Sequence, residues 1–223
     1  MLALSIFLRV PITGQVKSRL ATEIGAIAAC ELYRAFIADT LNKAQRLPNC
    51  QITLFVAGSL HAPELLALRR QWPFPCFAQC AGGLGLRMRE ALRWGRRQAP
   101  LAAVLGTDIP TLPMDHLQQA RAALQCNATV FGPAADGGFY LVGNSGPSLP
   151  PLDHPSIRYS SPQALFDTRR ACHDAGLGSA LVRPWYDVDR PAELTMLADE
   201  LSAHPARAPV TAACMQKWGF LKG

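Results

Sequence analysis

Four short segments of the 223-residue chain carry side chains suited to phosphate and metal chemistry. The first, Arg9-Val-Pro11-Ile-Thr-Gly14-Gln-Val-Lys17-Ser18-Arg19-Leu20, places three cations within eleven residues, beside a glycine and two hydroxyls. Lys and Arg donors and the N–H groups of a helix start together suit a polyphosphate. A solvated basic loop has the same composition, and the G-x-x-x-x-G-K-[ST] pattern of a Walker loop is absent. The second, Gly106-Thr107-Asp108-Ile-Pro110, puts a carboxylate directly after an apolar run. An oxygen donor there suits a hard cation, Mg²⁺ or Mn²⁺, that bridges donor phosphates and neutralises a leaving group. A turn aspartate before Pro110 is the plain alternative.

The third segment is Gly132-Pro133-Ala-Ala-Asp136-Gly137-Gly138-Phe139-Tyr140. Its Asp-Gly-Gly is either an ordinary hairpin turn or a place where a ligand approaches the backbone, leaving Asp136 for a hydroxyl or the metal. The fourth, Asp187-Val-Asp189, offers the second carboxylate that a cation near Asp108 needs, although Asp189 also stands where a helix N-cap belongs. Gly82-Gly83-Leu84-Gly85 invites a dinucleotide reading, but the sixth position of G-x-G-x-x-G falls on Met88 and no strong strand precedes it.

Positioning these segments requires a layered frame. Leu2–Leu8 reads as a strand buried on both faces, and Ile24–Leu47 as one helix from its apolar spacing. Gln51–Val56, Phe74–Ala78, Ala102–Leu105, Thr129–Phe131, Gly137–Gly143 and Leu181–Tyr186 read as further strands. Between them lie helices over Pro63–Gln71, Leu84 to about Gln98, and Met114–Leu124. A fourth has Ser161 as N-cap and Pro162 as first residue, running to about Ala175. A last helix follows Asp189 to about Ala203. Strands alternating with helices predict an α/β domain: a mainly parallel central sheet with helices on both faces. Such sheets bind ligands beyond the carboxyl ends of their strands, which is where the polar segments fall.

Composition excludes several classes. An apolar fraction of 49% and a charged fraction of 17% suit a packed core rather than a disordered chain. No apolar run reaches the roughly 18 residues of a membrane span, and the basic residue of the MLALSIFLR start follows the apolar stretch, so a strand is expected there and not a signal peptide. Seven scattered cysteines argue against a disulfide framework. Cys76 and Cys80 lack the second pair that a structural zinc needs. A cytoplasmic, membrane-free protein is expected. The net charge of +6 and seven arginines between Arg69 and Arg97 lack an interleaved aromatic platform, which argues against nucleic acid as a partner.

Taken together, the segments resemble a family of bacterial radical-SAM/selenodomain-associated transferases, some named arsenosugar-biosynthesis glycosyltransferases. The resemblance rests on Pro11…Gly14-Gln-Val-Lys17-Ser18-Arg19-Leu20, Gln79…Leu84-Gly85-Leu-Arg87-Met88 and Gly106-Thr107-Asp108-Ile-Pro110. It continues through Gly132-Pro133…Asp136-Gly137-Gly138-Phe139-Tyr140-Leu141 and Asp187-Val-Asp189-Arg190-Pro191, in order, from Leu2 to about Leu194. Arg9 stands where that family has Lys, Ser18 replaces Thr, Phe139 replaces Tyr and Gly83 replaces an acid. Tyr159-Ser160-Ser161 occupies the place of Trp-Ser-Thr.

The resemblance implies a GT-A nucleotide-diphospho-sugar transferase fold over residues 1–203, with 204–223 a C-terminal extension whose role the sequence does not assign. The Lys17-Ser18-Arg19-Leu20 loop is also similar to that of phospholactate guanylyltransferases. In nucleotidyltransferases of this superfamily, aspartates matching Asp108 and Asp189 hold the metal.

The expected site follows. Arg9, Gly14, Lys17, Ser18, Arg19, Gly85, Arg87, Thr107, Gly137 and Gly138 hold the donor, Asp108 and Asp189 the metal, and Lys17, Arg19 and Asp136 act in transfer. Two enzyme readings use the same parts. One transfers a sugar from a nucleotide sugar to a small-molecule acceptor, the favoured reading; the other transfers a nucleotidyl group from a nucleoside triphosphate and releases pyrophosphate. A non-catalytic nucleotide-binding or nucleic-acid-binding module is the third class. Oligomeric state is not legible.

Overall fold

A computed structural model describes residues 1–221. Seven strands form one sheet: β1 (Leu2–Arg9), β2 (Cys50–Ala57), β3 (Cys76–Ala78), β4 (Leu101–Gly106), β5 (Thr129–Pro133), β6 (Phe139–Asn144) and β7 (Ser179–Leu181). Their order is β3-β2-β1-β4-β6-β5-β7. β6 runs antiparallel to β4 and β5, and every other pairing is parallel, so the sheet is mixed and mainly parallel. The order reverses around β1 and β4, which lie side by side at the centre.

Alternation along the central strands explains the two layers. Leu2, Leu4, Ile6 and Leu8 of β1 and Ala103 and Leu105 of β4 enter one apolar core. That core is completed by α2 (Ala26–Ala44), α3 (Pro63–Gln71), α5 (Met114–Cys126), α7 (Pro191–Ala203) and α8 (Pro209–Lys217). Ala102 and Val104 face the other way, toward a smaller core under α4 (Leu84–Gln98) and α6 (Ala164–Asp174). Strands covered on both faces have no polar side to show, which is why they read as continuous apolar runs. Helices thus cover both faces, as expected.

Four boundaries differ from the sequence reading. The helix predicted over Ile24–Leu47 is two helices, α1 (Ser18–Ile24) and α2, separated by Gly25 at φ +82°. Apolar spacing runs straight through such a break because it does not see a left-handed residue. The strand predicted over Leu181–Tyr186 is short: pairing stops at Leu181 and returns only where Trp185 bridges Ala134. Pro184 and Pro133 both lack the N–H that the ladder needs there. The helix predicted from Ser161 starts at Ala164. Ser161 Oγ accepts the Gln163 N–H instead, and the Leu165 N–H turns to Gly137 O at 3.0 Å. Finally, Arg190 and not Asp189 is the N-cap of α7, with the Glu193 carboxylate accepting the Arg190 N–H at 2.6 Å.

Beyond Ala203 the chain makes a 3-10 turn (Pro205–Arg207) and then α8, which packs on α2. Buried Asp39 of α2 accepts the N–H groups of Val210 and Thr211, so a carboxylate from another helix caps α8. Ala208, Ala212, Met215 and Leu221 join the larger core. No helix among the described residues is long and apolar enough to cross a membrane.

Candidate active site

A cleft of about 890 Å³ opens over the carboxyl ends of β1, β2 and β4. Its walls come from the loop after β1, the Thr107-Asp108 turn after β4, the β5–β6 turn at Asp136, the Tyr159–Pro162 loop and the Asp187–Arg190 segment. These are the ends at which a parallel sheet leaves backbone groups and side chains free for a ligand.

Lys17 is the centre of the arrangement. It precedes α1 in the left-handed conformation, φ 50° and ψ 42°, which costs a non-glycine residue on the order of 1 kcal/mol. Its side chain is only 5% exposed and its ammonium lies 2.5 Å from Asp108 Oδ1 and 2.7 Å from Asp189 Oδ1. A third bond, 2.8 Å to Val188 O, uses the last of its three donors. The rings of Tyr33 and Phe36 lie 5.7 and 5.6 Å from the nitrogen. Burial pulls this amine's pKa down, but the two carboxylates outweigh it and hold the ammonium charged above the usual lysine range. A charge taken out of water is tolerated only when paired this completely.

The supports of Asp108 and Asp189 are traceable. Asp108 follows Thr107, which is buried and donates to Phe7 O at 3.3 Å. Tyr33 of α2 reaches Thr107 Oγ1 at 3.1 Å, and its own oxygen accepts the Arg9 N–H at 3.0 Å. Burial, with the Asp108 charge adding to it, pushes the Tyr33 phenol up to about 12. Its O–H therefore stays in place as a tie between the ends of β1 and β4. Asp189 is free to face Lys17 because Glu193 supplies the N-terminal contact of α7.

Asp136 and Asp187 form a second acidic group on the same cleft. Asp136 Oδ1 accepts the Gly138 N–H at 2.8 Å, an Asx-type turn that leaves its other oxygen available. Burial pushes the Asp187 carboxyl up to about 6, and the charges of Asp136, Asp189 and Asp108 push the same way. A carboxyl raised by burial and like charges inside a cleft is a candidate for proton transfer.

Arg9, Lys17, Ser18, Arg19, Arg87, Thr107, Asp108, Asp136, Gly138 and Asp189 all line the cleft, so the structure brings ten of the expected residues together. Arg9 and Arg19 are exposed at its edge. Gly14, Gly85 and Gly137 are not on the wall. Gly14 sits in an exposed turn at φ +80°. A Cβ on buried Gly85 would come 1.9 Å from Leu152 O, so this glycine lets α4 meet the loop that carries Tyr159. A Cβ on Gly137 would come 2.1 Å from Pro162 O, so this glycine seats the loop before α6. Close packing accounts for Gly85 and Gly137, and the positive φ accounts for Gly14.

Tyr33, Tyr159, Arg190 and Glu193 line the cleft without having been singled out as site residues. Tyr33 belongs to the apolar stripe of α2 and carries no motif; only its pairing across the fold reveals it. Arg190 and Glu193 were adjacent to Asp187-Val-Asp189, and Glu193 sits three residues after the cap, the spacing of a capping acid.

A divalent cation fits the donor set. Asp108 and Asp189 are hard oxygen ligands, 43% and 40% exposed toward the cleft, and converge on one cationic position already held by the Lys17 ammonium. Among the described residues no group of three or more His, Cys, Asp or Glu could hold a metal ion. A cation here would complete its shell from water and ligand phosphates, the usual state of Mg²⁺ on one or two carboxylates.

The whole-chain fold is similar to that of several solved structures. A "putative nucleotide-diphospho-sugar transferase" from Desulfovibrio desulfuricans G20 superposes with a TM-score of 0.84 at 27% identity, over 97% of this chain and 94% of that one. A cytidylyltransferase from Leptospira borgpetersenii serovar Hardjo-bovis gives 0.58 at 11% identity, over 100% and 97%. CMP:2-keto-3-deoxy-manno-octonic acid synthetase complexed with CTP gives 0.55 at 10% identity, over 91% and 98%. The last two share the fold alone. No curated protein matches this chain. A family model described as "Uncharacterized protein conserved in bacteria (DUF2064)" matches residues 40–161, more than half of the sequence, including Asp108 and the Asp136-Gly137-Gly138 turn. The chain belongs to the DUF2064 family.

Proposed function

We propose that the protein is a metal-dependent transferase acting on a nucleotide-activated donor, with glycosyl transfer from a nucleotide sugar to a small-molecule acceptor as the favoured reaction. The observation that carries this reading is the convergence of Asp108 and Asp189 on one cationic position at the carboxyl ends of the sheet, beside Arg9, Lys17 and Arg19. Asp108 and Asp189 would hold Mg²⁺ or Mn²⁺, which would supply charge neutralisation for a departing phosphate. Arg9 and Arg19 hold phosphate oxygens from the cleft edge through charge-assisted hydrogen bonds. Asp136 orients the acceptor hydroxyl and takes its proton, with Asp187, whose carboxyl burial pushes up to about 6, beside it on the cleft. The 27%-identical structural relative, named for nucleotide-sugar transfer, supports the same choice. The narrower link to arsenosugar or radical-SAM chemistry belongs to this reading only through the sequence resemblance. Seven unpaired cysteines suit a reducing cytoplasm, where we place the protein.

One observation favours a second reading, nucleotidyl transfer with release of pyrophosphate. Asp136 spends one oxygen on the Gly138 N–H, and an acceptor that is already an ionised phosphate needs no base. Calorimetry with nucleotide sugars and nucleoside triphosphates, each with and without MnCl₂, followed by product analysis, tests both. Absence of metal-dependent binding to either donor class would remove the transferase reading.

A further inference from the structure

The Lys17 ammonium stands where a divalent cation on the two aspartates would stand. Its bonds to Asp108 Oδ1, Asp189 Oδ1 and Val188 O exhaust its donors, and none is left for a ligand phosphate. The expectation that Lys17 grips the donor directly therefore meets a lysine already fully engaged. A divalent cation on the same oxygens would face a buried ammonium at contact distance, and like charges in that setting repel strongly. A polyphosphate without metal meets the opposite difficulty, because Asp136 and Asp187 also line the cleft while the lysine charge is spent on the other two acids.

We infer that Lys17 is the resident counter-ion of the Asp108–Asp189 pair, and that the site admits a divalent cation only together with a polyphosphate that takes the ammonium over. The inference rests on the metal reading above and names the ligand form: a metal–polyphosphate complex, not free metal followed by nucleotide. The surroundings suit an exchange. Lys17 lies outside the regular turns of α1, in the left-handed conformation, and its ammonium lies 5.7 and 5.6 Å from the ring centroids of Tyr33 and Phe36. Arg9 and Arg19, exposed at the edge, cannot replace it between the carboxylates. Phosphate oxygens arriving with the cation offer the ammonium new acceptors as the cation takes the old ones, so neither charge is left unpaired.

The test follows the melting temperature of the intact protein with MnCl₂ alone, inorganic pyrophosphate alone, and both. In the unaltered protein only the combination is expected to raise it. In Lys17→Met, MnCl₂ alone is expected to raise it, with an Mn²⁺ dissociation constant about tenfold or more below that of the unaltered protein. Stabilisation of the unaltered protein by MnCl₂ alone, equal to that with pyrophosphate added, overturns the inference even if Lys17→Met fails to fold. So does a Lys17→Met protein that binds Mn²⁺ no better. If Mn²⁺ stabilises Lys17→Met but no nucleotide binds either protein, the counter-ion role stands and the transferase reading falls. If Mn²⁺ binds neither protein under any condition, both fall.

Discussion

The Val188 N–H donates to the carbonyl oxygen of Asp108 at 2.8 Å, tying the loop after β4 to the segment after β7 across 80 residues of chain. The two carboxylates that meet at Lys17 are thus carried on backbones bonded to each other. A second tie runs behind the first. Trp185 Nε1 donates to Thr111 Oγ1 at 3.3 Å, and the Tyr186 hydroxyl donates to Glu200 of α7, whose other oxygen takes Arg207 at 2.6 Å. Residues on the far side of the core, including the turn before α8, therefore back the segment that bears Asp187 and Asp189.

Tyr186→Phe tests that backing. It deletes the bond to Glu200 and the 3.4 Å contact with Thr111 Oγ1, leaving a partly buried carboxylate with one partner fewer. The expected cost is about 1–2 kcal/mol of stability, read from urea unfolding. Metal-dependent nucleotide binding should weaken as well. A variant as stable as the unaltered protein would show that the tie is idle.

Arg19 is exposed on the cleft wall and makes no side-chain bond to another of the described residues, so its removal leaves none of them unpaired. Arg19→Ala should keep the melting temperature and lower nucleotide affinity about tenfold, the worth of one charged hydrogen bond to phosphate. The measurement is calorimetry at two salt concentrations. A lower melting temperature with unchanged affinity would assign Arg19 to structure.

Much of this was legible in the sequence because its polar segments directly follow apolar runs, and a mainly parallel sheet collects such segments at one end. Asp108, Asp136 and Asp189 could be placed that way. Lys17 could be read as a cation of the loop after β1 but not placed between the aspartates, since its partners lie 91 and 172 residues away. Tyr33 could not be found at all: on α2 it is one more large residue at helical spacing. The packing role of two glycines was not legible either. Gly85 and Gly137 sit in motifs beside candidate site residues, and the space they leave is filled by Leu152 and Pro162.

Lys43 gives a pH dependence whose sign can be worked out. Burial lowers its amine from 10.5 to about 8, offset in part by the charges of Asp39 and Glu200, while Arg207 and Arg46 add to the lowering. Its ammonium also donates to Pro110 O at 3.0 Å, on the loop that begins at Asp108. The folded state releases the proton first, so Lys43 penalises folding fully below its folded value. Stability should then rise as pH passes upward from about 8 toward 10.5. Cysteine thiols pushed up to about 11 act oppositely at higher pH, so the useful window is below their ordinary value of 9. Between pH 7 and 9 the unaltered protein should gain about 1 kcal/mol relative to Lys43→Met, read from urea midpoints. Parallel profiles for the two proteins would exclude Lys43 as the titrating group.

Asp136 separates the two transfer reactions. It is exposed at the cleft, beyond the Lys17 centre, and its bond to the Gly138 N–H fixes one oxygen while the other stays free. Replacing it by alanine removes that turn bond, a loss of about 1 kcal/mol at most for an exposed group. The fold and the donor subsite should survive, because neither Lys17, Asp108 nor Asp189 bonds to it. If Asp136 serves an acceptor hydroxyl, Asp136→Ala keeps donor affinity in calorimetry and loses transfer by a factor of roughly 10²–10⁴, the usual worth of a positioned base. Raising the pH should then restore part of the rate, since solvent can take the proton that Asp136 no longer takes. An acceptor that is an ionised phosphate has no such proton to lose, and its reaction would proceed at nearly the unaltered rate. Single-turnover product analysis reads the difference: undiminished pyrophosphate release from a nucleoside triphosphate by Asp136→Ala would overturn glycosyl transfer in favour of nucleotidyl transfer.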